Sequence, residues 1–360
     1  MHHAFHICRW RDRGLPSNEQ PSNDQPTNEQ RRQDAKRKLE QRLETQQAAA
    51  RKRKIIIVSS SVIVVLVVAA AVTTLVVNKV LDDREKARYT ACAYTPTPAD
   101  ADPFAQLPPV PGNLPPAQQA LGKQYVDNLA AGKSKQRKAQ IPADRELKKG
   151  ELTAQFTTSQ GPITMTLDRS SAPCNVAAVT SLIKQKYYDN TTCHRMTVAG
   201  TDTSAGASKL AVLQCGDPTG TGAGAPGWSS PDEFPTDLKV VPQNEQLAAM
   251  GLPNSVIYPR GTVAIANSYQ PGQGGQASGT NTGSAQMFLV VNDSELPPNY
   301  SVVGKVDADG LKVLDTVYKG GVTPGVRPSQ DPNTGAVTYA PTPGDGAPTL
   351  PVEIKTVTVS

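Results

Sequence analysis

One stretch of the chain, from Ile55 to Val77, is apolar without interruption. Its 23 residues carry no charge, and about 20 residues of helix span the hydrocarbon core of a bilayer. The serines and threonines within it can bond to the helix backbone, so they are compatible with lipid. A cleavable signal peptide has a shorter apolar region of ~7–15 residues and is the less favoured alternative. The pattern therefore predicts a retained transmembrane helix at residues 55–77, with the lipid bilayer as its partner.

The charges on the two sides of this stretch predict its orientation. Ten lysines and arginines lie within residues 31–54, whereas residues 78–90 carry four, interleaved with three acidic residues. The positive-inside rule then predicts a single-pass cell membrane protein with residues 1–54 in the cytoplasm and residues 78–360 outside. The basic residues could instead bind nucleic acid, but their position beside the apolar stretch favours lipid headgroups. We therefore expect no nucleic-acid partner.

The segments around the membrane helix have irregular compositions. Residues 16–30 repeat one pattern three times, as PSNEQ, PSNDQ and PTNEQ, which indicates a disordered tail; the residues that follow, up to Lys54, favour a charged helix. On the other side, residues 96–116 contain eight prolines, which predicts a stiff extracytoplasmic linker or stalk over residues 78–149. A short helix is expected within residues 117–140.

From residue 150 onward, short apolar-polar alternations predict a mainly β domain over residues 150–360. Two helical patterns interrupt the strands, around residues 175–189 and 311–321. Residues 322–348 are rich in proline and glycine and predict a loop, and the alternating segment 351–360 predicts a last strand that pairs back into the sheet. Many short strands with two helices predict a closed antiparallel barrel.

Composition limits the chemistry that this domain can perform. Of four histidines, only His194 lies beyond residue 6, so a multi-histidine metal site in the distal domain is excluded and no metal is expected. Near the N-terminus, His2, His3, His6 and Cys8 could bind a metal, but a flexible tail is favoured. The glycine-rich segment 220–227 lacks the Gly-Lys-Ser/Thr of a phosphate-binding loop.

The cysteines favour disulfides over a thiol nucleophile. Four of the five cysteines follow the membrane helix: Cys92, Cys174, Cys193 and Cys215. An even number outside the cytoplasm permits two disulfides with three possible connectivities. Cys193 adjoins His194, which suggests a Cys-His pair, but neighbours in a strand point to opposite faces.

A series of motifs then appears in a recognisable order. It begins with Tyr187–Tyr188 and His194–Arg195, continues with the turn QCGDPTGTGAGAPG at residues 214–227 and the Asp-Glu-Phe at residues 232–234, and ends with RGTVAIANSYQPG, NTGSAQMFLVV and SVVGKV. Together these motifs resemble those of cyclophilins, the peptidyl-prolyl cis-trans isomerases, over residues 150–321 and the last strand. The anchored, exported form is similar to membrane cyclophilins of actinobacteria.

The resemblance implies a fold, an activity and a set of site residues. The fold would be an eight-stranded antiparallel barrel capped by two helices, acting on proline-containing polypeptides without a cofactor. The catalytic arginine would be Arg195. The substrate groove would contain Gln214, Ala266, Asn267, Gln286, Phe288, Leu296 and Tyr300. The implied strand order places Cys193 beside Cys215, and Cys92 and Cys174 are then the remaining candidate pair.

The sequence also departs from the family pattern. Ala211 stands where the family usually has a phenylalanine, which would thin one wall of the proline pocket. Glu295 stands at the position of a tryptophan that contacts cyclosporin, so weak cyclosporin binding is expected, and Tyr300 replaces a groove histidine. Phe288, Leu296 and Ile265 would form the apolar wall near the proline ring. Each candidate has a structural alternative: Phe288 and Ile265 could be core residues, and His194 is more simply structural than a base.

Three functions remain open from the sequence. The favoured one is an isomerase that assists the folding of exported proteins, in which Arg195 stabilises the twisted prolyl amide. An altered groove would also fit a module or chaperone that binds proline-containing segments with little turnover. The third alternative is a stalked structural adhesin, which would lack a proline-sized groove near Arg195.

Overall fold

The computed structural model describes residues 27–98, 101–200, 209–242, 249, 254–270, 277–331 and 334–360. Its contacts divide the chain into two units, Met1–Val80 and Leu81–Ser360. The predictions for His2, His3, His6, Cys8 and most of the repeats at 16–30 lie outside the described residues.

A single long helix, α1 (Asn28–Arg88), contains the apolar stretch. Among the described residues it is the helix that is long and apolar enough to cross a membrane. Its apolar side chains, such as Ile55 and Leu75, are exposed rather than packed against protein. A helix that is apolar on all faces and unburied by protein suits a lipid environment.

The second unit is mainly β. Besides the end of α1, its described helices are α2 (Pro116–Lys133), α3 (Pro173–Lys184) and α4 (Ala308–Lys319). The described strands are β1 (Tyr89–Ala91), β2 (Thr95–Pro96), β3 (Arg145–Leu147), β4 (Glu151–Thr158), β5 (Gly161–Asp168), β6 (Thr191–Thr192), β7 (Arg195–Thr197), β8 (Val212–Cys215), β9 (Trp228–Ser229), β10 (Lys239–Val241), β11 (Ser255–Tyr258), β12 (Thr262–Ile265), β13 (Met287–Val290), β14 (Ser294–Leu296), β15 (Val302–Val306), β16 (Val322–Gln330), β17 (Val337–Pro348) and β18 (Glu353–Val359).

Eleven of the described strands form one antiparallel sheet in the order β16-β17-β7-β8-β13-β12-β15-β5-β4-β18-β6. The last strand pairs with β4, for example Val357 opposite Phe156, as the sequence predicts. The expected closed eight-stranded barrel is not confirmed, because in the described part of the chain no strand pairing closes the sheet. Two features interrupt a closed ring: residues 193–194 separate β6 from β7, and β16–β17 extends the edge beside β7.

The central strands β12 and β13 bury both of their faces, in two different clusters. In β13, Met287 and Leu289 enter the large core, whereas Phe288 and Val290 enter a second cluster with Tyr258. The alternation follows from the two-residue period of a strand. Helix α3 packs its apolar residues, such as Val176 and Leu182, into the large core. Ile265 also lies in this core, so its structural reading is the one observed.

Residues 322–348 form a hairpin, β16–β17, rather than the loop that their composition predicts. The strands pair from Val322 opposite Pro348 to Gln330 opposite Val337. Pro324 and Pro328 lie in β16, an edge strand, and Pro343 lies where the pairing of β17 with β16 shifts register; edges and bulges are the positions where a sheet tolerates proline. Pairing of β17 with β7 joins this hairpin to the main sheet.

Residues 89–149 of the linker contact the β domain, whereas an extended stalk is expected for them. Cys92 forms a disulfide with Cys174 at the start of α3, and the Tyr94 hydroxyl donates to the Cys174 carbonyl at 2.7 Å. Phe104 is buried, and the Trp228 indole N–H donates to the Ala139 carbonyl at 3.1 Å. These contacts hold the segment against the β domain.

Candidate functional site

The candidate catalytic arginine lies on a short strand beside its candidate partner. Arg195 of β7 is directly opposite Gln214 of β8, and the next pair is Met196 opposite Leu213. Met196 and Leu213 are buried in the large core. Because side chains alternate along a strand, Arg195 and Gln214 share the opposite face. A disulfide joins Cys193, two residues before β7, to Cys215 at the end of β8, so neither cysteine is a thiol nucleophile.

The Arg195 guanidinium is held by two side chains. Its Nε and Nη2 donate to Asp345 Oδ1 and Oδ2 at 2.7 and 2.9 Å, and its Nη1 donates to Gln214 Oε1 at 3.0 Å. The bidentate pairing with a carboxylate fixes the plane of the guanidinium. Arg327 Nη2 donates to the same Asp345 Oδ2 at 2.9 Å, so the three charges sum to one positive charge.

Sequence reasoning missed Asp345. It lies in β17, in the segment whose proline and glycine content predicts a loop, and 150 residues separate it from Arg195. Pairing of Gly346 with Met196 brings it beside the arginine. No local pattern in the sequence marks this residue.

A cavity of about 150 Å³ opens beside the arginine. Its lining residues are Arg195, Leu210, Val212, Gln214, Ala266, Asn267, Phe288, Leu296 and Tyr300. The structure thus brings together all of the predicted groove residues except Gln286. That residue is hydrogen-bonded to a lining residue, since the Gln214 Nε2 donates to the Gln286 Oε1 at 2.9 Å. The wall residues Leu210 and Val212 were not predicted.

Three aromatic rings support the apolar wall of this cavity. Phe288 packs edge-on against Tyr300, with ring centroids 5.3 Å apart, and both contact Tyr258. Phe288 is thus buried on the face of the sheet opposite the large core, and it lines the cavity. Burial raises the pKa of the Tyr300 hydroxyl, so this side chain is neutral at ordinary pH.

The departures from the family pattern have visible consequences. Ala211 is fully buried and does not line the cavity; its neighbours Leu210 and Val212 do. Glu295 Oε2 forms an ion pair with Lys209 Nζ at 2.9 Å. The wall is therefore aliphatic where the family has an aromatic ring, and a charged pair occupies the tryptophan position.

Asp217 organises the glycine-rich turn that follows Gln214. Its buried carboxylate accepts from the backbone N–H groups of Thr219, Thr221 and Gly222 at 2.7, 3.1 and 2.6 Å. A Cβ at Gly224 would lie 2.0 Å from its Oδ1, so glycine is required there. Because the carboxylate engages these N–H groups, they are not presented to a phosphate, consistent with the missing phosphate-loop lysine.

His194 follows the disulfide-bonded Cys193, and its ring lies near Gly222 of this turn; the residue is partly exposed, but both of its ring nitrogens are shielded from solvent. Neither ring nitrogen has a hydrogen-bond partner among the described residues. Desolvation lowers the pKa of its imidazole to about 4, so the ring is neutral near pH 7. Among the described residues, no group of three His, Cys, Asp or Glu side chains is placed to hold a metal ion.

Comparison with known proteins identifies a family with the same motifs. The sequence model of the family described as "Cyclophilin type peptidyl-prolyl cis-trans isomerase/CLD" matches residues 153–338. The chain is 38% identical over 221 residues to the "Probable peptidyl-prolyl cis-trans isomerase B" of Mycobacterium tuberculosis H37Rv. It is 38% identical over 200 residues to the protein of the same name from Mycobacterium leprae.

These alignments cover part of each protein. They include 61% and 56% of this chain, and 63% and 58% of the two mycobacterial relatives, less than two thirds of either. A crystal structure of a Cryptosporidium parvum cyclophilin type peptidyl-prolyl cis-trans isomerase aligns with 59% of this chain and 98% of its own, at 20% identity and a TM-score of 0.37.

Proposed function

This chain belongs to the cyclophilin-type peptidyl-prolyl cis-trans isomerase family, and from that premise we propose that it catalyses cis–trans isomerisation of prolyl bonds in polypeptides. The observation that carries the proposal is the fixed Arg195 guanidinium at the rim of a proline-sized cavity, one wall of which is apolar. In this proposal the cavity receives the proline ring against Phe288 and Leu296.

The reaction requires mainly that the protein stabilise the twisted amide electrostatically. A prolyl amide resists rotation because its nitrogen lone pair is delocalised into the carbonyl, which gives a barrier of ~18–20 kcal/mol. In the twisted state the nitrogen is pyramidal and accepts a hydrogen bond. A group that binds this state more strongly than either planar isomer accelerates the exchange. No bond is broken, so the proposal requires no cofactor.

Arg195 suits this role because it is always charged and rigidly held. A guanidinium has five N–H donors, and the bonds to Asp345 and Gln214 use three of them within the described structure. The remaining two can donate toward a substrate in the cavity. In the proposal Gln214, with Gln286 behind it, and the Asn267 backbone hold the flanking peptide; the Asn267 side chain donates to the Asn299 carbonyl at 2.7 Å.

Location and architecture complete the proposal. We place residues 1–54 in the cytoplasm, 55–77 in the membrane, and both the linker 78–149 and the domain 150–360 outside, where exported polypeptides fold. We also propose that the sheet curves into the family's eight-stranded barrel, with residues 191–197 turning between its two ends, since β6 pairs with β18 and β7 with β8. We also propose that cyclosporin binds weakly, because Glu295 stands at the position of the tryptophan that contacts it in the family.

A second function has a specific observation in its favour. The Asp345 carboxylate engages two N–H groups on one edge of the Arg195 guanidinium and offsets its charge, and the weaker electrostatic stabilisation would suit a module that binds proline segments with little acceleration of exchange. Both functions use the same cavity and differ only in turnover.

Exchange NMR on a proline-containing tetrapeptide distinguishes the two. With the full chain in detergent micelles at a small fraction of the peptide concentration, we expect cis–trans exchange cross-peaks that are absent without protein. Peptide shift changes without exchange would support the binding module instead. Absence of both would reject the site as a proline site.

A further inference from the structure

A second and larger cavity lies on the other side of the Arg195–Gln214 pair. Its volume is about 620 Å³, and both Arg195 and Gln214 line it as well as the proline-sized cavity. Volumes of ~300–1,000 Å³ are typical of built ligand sites. We call it the hairpin cleft, because β16 and β17 form one wall, with α2 and the turn 220–223 forming the others.

Much of this cleft is built by segments outside the family match. The match covers residues 153–338, whereas α2 and the part of β17 that carries Thr342 and Asp345 lie outside it. The cleft therefore combines residues of the matched domain, among them Arg195, Gln214 and β16, with segments that lie outside the match.

Two glycines of α2 fit the helix to both ends of the cleft. A Cβ at Gly122 would lie 2.8 Å from the Tyr339 ring of β17, and a Cβ at Gly132 would lie 2.4 Å from the Thr221 side chain of the turn. The Tyr125 and Tyr339 rings are also in contact, with centroids 6.0 Å apart. Because only glycine permits both approaches, the helix is seated closely on the hairpin and on the turn.

A partly exposed polar side chain in the cleft wall has two shielded nitrogens without a partner among the described residues. His194 lines the cleft, and neither of its ring nitrogens is hydrogen-bonded within the described structure. Buried polar groups are normally paired. A neutral imidazole has one donor and one acceptor, so the cleft wall holds one donor and one acceptor that no described residue satisfies.

We infer that the hairpin cleft is an extended-substrate subsite, which binds polypeptide residues flanking a proline held beside Arg195. This inference rests on the proposed isomerase site, because the two cavities share Arg195 and Gln214 and a chain crossing that pair enters both. The described charged residues lining the cleft are Arg195, Arg327 and Asp345, so its net positive charge favours neutral or acidic segments over basic ones.

The test compares substrates of two lengths on the full chain in micelles. One is a tetrapeptide with a single proline; the other carries the same tetrapeptide within twelve residues, flanked on both sides by uncharged residues. We expect kcat/KM for the longer peptide to be about tenfold higher, equivalent to ~1.4 kcal/mol. Equal values for the two peptides would overturn the inference.

A cleft-filling variant then locates the effect. Asn128 is an exposed α2 residue that lines the cleft, so Asn128→Trp should abolish the advantage of the longer peptide while tetrapeptide turnover stays within about twofold of the parent. The matched control is Ala130→Trp, at an exposed α2 position that does not line the cleft, and it should retain the advantage. Retention of the advantage in Asn128→Trp would contradict the inference.

Failure of the subsite and failure of the isomerase proposal give different results. If tetrapeptide exchange is catalysed but peptide length has no effect, the subsite is rejected and the isomerase stands. If neither peptide is isomerised, fluorescence anisotropy of the labelled longer peptide still decides. Weaker binding to Asn128→Trp than to both the parent and Ala130→Trp supports the subsite, and equal binding rejects it.

Discussion

Arg195 and Asp345 form the interaction on which the proposed chemistry depends. The carboxylate bonds to two nitrogens of the guanidinium at 2.7 and 2.9 Å, and side-chain exposures of 33% and 20% leave the pair partly shielded from solvent. A bidentate pair in this environment holds orientation as well as charge. Asp345 is therefore a positioning residue in the proposed mechanism, and it acts through Arg195.

Replacing Asp345 by asparagine should lower turnover more than binding. The guanidinium loses one charged, two-point contact, and we expect kcat to fall by about tenfold, ~1.4 kcal/mol, with KM changed by less than about twofold. Asp345→Glu should restore part of the rate, and Asp309→Asn, which removes an exposed ion pair with Lys312, serves as the control. An unchanged kcat in Asp345→Asn would show that Arg195 needs no such support.

The shielded ring nitrogens of His194 predict a loss of stability in mild acid. Desolvation lowers the pKa of the folded imidazole from 6.5 to about 4. Between these values the unfolded chain binds a proton that the folded protein does not. The free energy of unfolding that depends on this histidine is therefore fully present above the unfolded pKa of 6.5. It is lost as the pH falls toward 4, by on the order of 3 kcal/mol in total.

Urea unfolding from pH 7 to pH 5 measures this dependence. The parent should lose more stability over that interval than His194→Gln, whose side chain does not titrate. Equal losses in the two proteins would assign the acid sensitivity to other groups.

The strands and helices show which parts of the fold sequence patterns can predict. The paired strands β4 and β5, the helices α3 and α4, and the last strand follow from alternation and helical spacing. The hairpin β16–β17 does not, because its prolines and glycines mask an edge pairing that depends on β7. The packing of residues 89–149 also depends on distant partners, namely Cys174 and Trp228, which a local composition cannot reveal.

Removing the two disulfides should have different consequences. Cys92–Cys174 closes 82 residues and Cys193–Cys215 closes 22, so the chain-entropy model assigns them about 4.5 and about 3.4 kcal/mol. Urea unfolding of the double variants C92S/C174S and C193S/C215S should show losses of this order. Tetrapeptide turnover should remain in C92S/C174S, whose cysteines do not line the cavity, and fall in C193S/C215S, whose cysteines flank Arg195 and Gln214. Equal turnover in the two would contradict this division.

For the chain as a whole, the apolar helix and the β domain were both anticipated, whereas the detailed site was anticipated only in part. Seven of the predicted site residues line one cavity, because β7, β8 and β13 are adjacent in the main sheet and β14 and the segments after β12 and β14 pack beside them. Asp345 and α2 were not connected to the site, since their approach depends on sheet register and on glycine contacts between distant segments.

Protease accessibility tests the proposed topology. With tags at both ends of the full chain in right-side-out vesicles, added protease should remove the C-terminal tag and spare the N-terminal tag, because the basic flank 31–54 is retained inside. Extraction of the chain by carbonate at high pH, or protection of the C-terminal tag, would contradict a single-pass anchor with an external domain.

The most direct measurement is the catalysed exchange rate of a proline tetrapeptide in Arg195→Lys. Lysine keeps the positive charge beside Asp345 but lacks the planar, multi-donor head. We predict a kcat lower by at least about tenfold, ~1.4 kcal/mol, in a protein whose urea midpoint is close to that of the parent. An unchanged rate in a folded Arg195→Lys protein would contradict the proposal that this guanidinium stabilises the twisted prolyl bond.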